Sequence, residues 1–99
     1  MLIYKYIPDV TTVAGGWSGN TELISGGLCR QVYIKPNTDT TNYDARLVDE
    51  NDIDIRKWTD QTGELNDLTP ILISGICSLI IENATADEAF TVLICVNDG

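Results

Sequence analysis

The chain has 99 residues, with 15 acidic against 6 basic side chains, a net charge of −9 and no histidine. That length makes one domain, burying about 60–70% of the surface the unfolded chain exposes. The charge disfavours nucleic acid and anionic membranes, whose phosphates it repels, and no apolar run reaches the roughly 18 residues of a membrane-spanning helix.

Hydrophobic residues make up 43% of the chain, which fits a globular protein rather than a disordered one. Met1–Ile7 lacks a basic start, a long apolar stretch and a small-residue cleavage site, so a signal peptide is not expected. Its alternation predicts a strand over Leu2–Ile7, stopped by Pro8-Asp9. Val10–Ala14 has weaker strand character. Gly15-Gly16-Trp17-Ser18-Gly19-Asn20 reads as a glycine-rich loop, and Thr21–Ser25 as a short strand broken by Gly26-Gly27. Residues 1–27 therefore read as the less regular part of the domain.

Leu28–Lys35 predicts a firm strand, with Leu28, Arg30, Val32 and Ile34 on one face and Cys29, Gln31, Tyr33 and Lys35 on the other. Pro36-Asn37-Thr38-Asp39 ends it with turn chemistry. Asn42–Asp49 follows, with Tyr43, Ala45 and Leu47 on one side. Glu50-Asn51-Asp52 connects it to Ile53–Trp58, and Asp60-Gln61-Thr62-Gly63 is a further turn. Glu64–Leu68 fits either one helical turn or a short strand. Ile71–Ser74 and Ile76–Glu82 are separated by Gly75.

The run Ile76–Glu82, the polar link Asn83–Glu88 and the run Ala89–Val96 read together as a terminal hairpin. Phe90, Val92, Ile94 and Val96 suit a core. Ala89, Thr91, Leu93 and Cys95 form a second face, apolar but for Thr91, which is surplus to a two-layer fold with one wet side. That face is expected to be covered by another chain or by the N-terminal segment, and it is the candidate partner-binding surface, with Trp17 as a second candidate contact. The pattern predicts an all-β domain, a single small β-sandwich or jelly roll of seven to nine short antiparallel strands.

Cys29, Cys77 and Cys95 are odd in number and sit in apolar runs, which predicts buried, reduced thiols of a reducing cytoplasm. A Cys77–Cys95 bridge across the terminal hairpin is the alternative. Asp49–Asp54 is the densest acidic cluster. A calcium loop counted from Asp49 would place Ile53 at its fifth position and Asp54 where glycine is needed, so a solvated turn is the better reading. Asn83-Ala84-Thr85 matches a glycosylation sequon, but hairpin-tip hydrogen bonding explains the same residues. Without histidine, and with cysteines buried, no acid–base or nucleophilic machinery assembles, so no enzyme, cofactor or metal is expected.

Val32–Asp49, Thr62-Gly63-Glu64-Leu65 and Ile80–Thr85 resemble, in their cadence, small structural proteins of tailed bacteriophages. The resemblance covers about two-thirds of the chain and leaves out residues 1–31. It implies a virion protein made in the bacterial cytoplasm, foremost a decoration or cement protein bound to the major capsid protein and working as a small homo-oligomer. A tail, neck or fibre component is the neighbouring alternative. A carbohydrate-binding module using Trp17, with Trp58 as a second platform, is the alternative from another class.

Overall fold

The computed structural model describes residues 2–13, 16–22, 27–73, 76–85 and 87–97, and of the expected strand Thr21–Ser25 only Thr21 and Glu22 fall among them. The described chain forms nine strands: β1 Leu2–Thr11, β2 Gly16–Glu22, β3 Gly27–Pro36, β4 Asn42–Val48, β5 Asp54–Thr62, β6 Leu65–Asp67, β7 Ile71–Ile73, β8 Ile76–Glu82 and β9 Ala89–Asn97. One sheet, here A, has the order β1-β9-β3-β6, with β7 also pairing β3. The other, B, has the order β2-β8-β4-β5.

All pairings are antiparallel and nested. β1 pairs β9, β2 pairs β8, β3 pairs both β6 and β7, and β4 pairs β5. The β3–β9 and β4–β8 ladders then join these pairs into two sheets. This nested wrap, with β6 and β7 sharing the place of one strand, is a jelly roll. The expected all-β sandwich is therefore present.

The core lies between the sheets. Sheet A contributes Val32, Ile34, Ile73, Phe90, Val92 and Ile94; sheet B contributes Tyr43, Leu47, Leu79 and Ile81, all buried. Each such aliphatic side chain contributes about 1.5–3 kcal/mol by leaving water. The set of β9 expected to suit a core (Phe90, Val92, Ile94, Val96) is buried, and so are Tyr43, Ala45 and Leu47, expected on one side of β4; Cys95 and Val48 are buried as well.

Several expectations are corrected. The terminal pair of strands is not a hairpin: β8 lies in sheet B and β9 in sheet A. The link over residues 83–88 crosses between layers, with Asn83 and Asp87 at positive φ (57° and 61°). Thr12 anchors it. Its Oγ1 donates to the Thr85 carbonyl (2.6 Å) and accepts from the Glu88 N–H (3.1 Å), and its own N–H donates to the Glu88 carbonyl (2.9 Å).

Residues 16–20 are not loop but the first part of β2, paired residue by residue with Leu79–Glu82 and Ser78 of β8. The glycine is there for close approach: a Cβ on Gly16, at φ +133°, would sit 2.0 Å from the Ile81 carbonyl oxygen. Residues 1–27 are accordingly no less regular where described. β1 runs through Pro8-Asp9, because a register irregularity between Ile7 and Val10 absorbs a proline that cannot donate to the ladder.

In β3 a bulge between Cys29 and Gln31 reverses the parity. Cys29 therefore shares the core face with Val32 and Ile34, Arg30 is the exposed extra residue, and Leu28 is half-buried. Glu64–Leu68 resolves as strand, β6.

The three cysteines are buried thiols. Cys77 belongs to sheet B and Cys95 to sheet A, so a bridge would have to span packed sheets about 10 Å apart, against the roughly 4.4–6.8 Å Cα separation a disulfide needs.

Candidate functional site

The strands of the two sheets differ in charge. The strands of sheet B carry five acidic residues: Glu22, Asp44, Asp54, Asp60 and Glu82. Those of sheet A carry two, Asp9 and Asp67, and β3, β7 and β9 carry none. In a chain of net charge −9, the middle of sheet A is an acid-free surface.

On sheet B, Arg46 pairs with two of these acids. Arg46 donates to Glu82 through Nε (3.3 Å) and NH2 (3.0 Å) and to Asp54 through NH1 (3.2 Å). These bonds push the guanidinium pKa up, the bond to Glu82 foremost. Asp44 accepts from the Asp60 N–H (2.8 Å) and from the Asn83 amide (2.5 Å), which hold its carboxyl below the usual range. The asparagine of the sequon is thus bonded to β4.

Sheet A's face is different. Leu72, 76% exposed, pairs in register with half-buried Leu28. Half-buried Tyr33 and Leu93 are register partners, and the Tyr33 hydroxyl donates to Glu64 at the rim (2.8 Å). Arg30 and Lys35 are exposed, and neither is in an ion pair with another described residue. The candidate face of β9 divides along its length. Ala89 and Thr91 are exposed, Leu93 is half-buried and Cys95 is 3% exposed, flanked in register by Tyr4 of β1 and Gln31 of β3. The N-terminal strand lies beside β9 rather than over it.

At the Ala89 end an open groove of about 610 Å³ crosses β1, β9 and β3. Thr11, Lys35, Asn37, Asp39 and Thr91 line it, with Val10, Pro36 and Phe90 beneath. Ala89 and Thr91 were legible in the sequence as members of this surface. Lys35, Asn37 and Asp39 were not, because only the β3–β9 pairing brings them beside β9.

Trp17 sits on β2, half-buried and packed against the core. Trp58 is buried at the opposite margin, its indole N–H donating to Asp67 (2.8 Å), so the two are not brought together as a sugar platform. Asp67 also accepts from Arg56 (3.4 Å) and the Thr69 N–H (2.8 Å), which fastens β5 of one sheet to β6 of the other. The described residues hold no cluster of three metal-ligating side chains.

No protein-family model matches the chain, and no curated protein matches it significantly.

Proposed function

We propose that the chain is a non-enzymatic structural protein of a bacteriophage particle, a capsid decoration protein that docks through the outer face of sheet A. The observation that carries the reading is the asymmetry of the sandwich: sheet B with five acidic residues, two of them paired to Arg46, and sheet A with central strands β3, β7 and β9 free of acids and exposing Leu72 among half-buried Leu28, Tyr33 and Leu93. A small protein that must stay dispersed before assembly is served by net acidity. One that must then bind a larger surface is served by a face where that acidity is missing. Binding in many copies makes modest contacts sufficient. The jelly roll hosts many functions, so it permits this reading without selecting it.

The test is co-sedimentation of the purified chain with particles of the phage that encodes it, stripped of the endogenous copy. Saturable binding that Thr91→Glu weakens supports the proposal. Absence of binding to capsid, tail and fibre fractions alike overturns it.

A further inference from the structure

We infer that copies of this chain associate head to tail, the β4–β5 turn of one seated on the Leu28–Leu72 end of sheet A in the next; the inference rests on the reading of the chain as an assembly protein. Between β4 and β5 the chain makes a closed turn. The Asp49 carboxylate accepts from the N–H groups of Asn51 (2.8 Å) and Ile53 (3.0 Å), and the Asp49 N–H donates to the Ile53 carbonyl (3.0 Å). That turn holds Ile53 61% exposed, between Asp52 and Asp54 and close to Glu50.

A large aliphatic side chain held in water by a hydrogen-bonded turn, with Glu50, Asp52 and Asp54 near it in sequence, is a preformed knob. It has little ordering entropy left to lose on binding. The complementary surface is on the same molecule but on another face. Exposed Leu72 and its half-buried register partner Leu28 make an apolar pair, and the bulged Arg30 beside them has no ion pair among the described residues. The apolar tip matches the leucines, and Glu50 and Asp52 match Arg30. The contact is therefore heterologous, and repeats of it give a ring or a chain.

The experiment uses the full chain with two single variants, Ile53→Asp and Leu72→Asp. Both sites are exposed, and an unchanged circular dichroism spectrum and urea midpoint verify that each variant folds. By sedimentation equilibrium the parent is expected to associate, and each variant to weaken association about tenfold or more. Mixing the two in equal amounts restores a dimer, because one keeps an intact tip and the other an intact face. A parent that stays at its monomer mass of 10.9 kDa, or variants that associate like the parent, or a mixture no better than its components, overturns the inference. Particle co-sedimentation of the same proteins separates this failure from that of the virion reading: a strict monomer that still binds particles refutes only the self-association.

Discussion

The phenol ring of Tyr43 in sheet B stands edge-on to the ring of Phe90 in sheet A, centroids 5.3 Å apart and planes at 77°. The Tyr43 hydroxyl donates to the Gly63 carbonyl (2.8 Å) within the core, and burial pushes its pKa up to about 12. Tyr43→Phe keeps the ring contact and leaves the Gly63 carbonyl without that donor, at an expected cost of about 1–2 kcal/mol. Phe90→Ala removes the ring and opens a cavity between the layers, costing about 3–5 kcal/mol. Urea unfolding of both variants checks the order.

Asp67 gives the chain an acid-sensitive fastening. Burial alone would raise its pKa, but hydrogen bonds from Thr69 and Trp58 and the charge of Arg56 outweigh this and hold it below the ordinary value. With the folded pKa below the unfolded value of roughly 3.9, the carboxylate contributes stability above that pH. It loses the contribution as pH falls through the folded pKa. Asp67→Asn is expected to lower the urea midpoint at neutral pH. The gap between parent and variant should close as the parent's Asp67 protonates, and a gap constant from neutrality to strong acid would contradict the assignment.

How much of this was legible beforehand depended on what set each feature. The core faces of β4 and β9 follow from alternation, because those stretches run without a bulge through their buried residues. The doubly apolar run of β9 is explained by its place between β1 and β3 in the middle of a sheet. β3 defeated the same logic, since one extra residue at Arg30 moves Cys29 to the core side, and nothing in the local sequence marks a bulge without glycine. The link over 83–88 has turn chemistry suited to a hairpin. Its crossing between sheets is decided by distant partners, Thr12 above all. Trp17 read as a loop residue because glycines surround it, whereas Gly16 serves a strand packed tightly on Ile81. The proposed docking face is a property of strand order: Leu28 and Leu72 are far apart in sequence and adjacent only through the β3–β7 ladder.

Gly16 is expected to tolerate no side chain. Gly16→Ala places a methyl group inside contact distance of backbone at a φ that L-residues rarely adopt. Strain of this kind costs about 1–3 kcal/mol before the clash is counted. Thermal unfolding should show a clear fall, and a neutral result would mean that β2 shifts freely on β8.

The thiols should be silent in the folded protein. Burial pushes Cys77 up to about 11, with the charges of Asp49 and Glu50 adding to it, and burial likewise raises Cys29. Cys95 is shielded by its position in the sheet. A disulfide reagent at mildly alkaline pH is expected to find no fast-reacting thiol in native protein and three after urea unfolding. The reaction should track the unfolding transition.

The pairing of β1 with β9 joins Leu2 to Asn97 and Tyr4 to Cys95 across almost the whole described chain. A sheet whose middle strand is β9 has no stable intermediate form in which residues 1–88 wait as a finished half. On a ribosome, β1 and β3 must remain apart until the strand that separates them has been made. Contacts of such long sequence separation make folding slow. During that interval the edges of β1 and β3 lack their β9 partner, and the net charge of −9 opposes pairing of such open edges between copies.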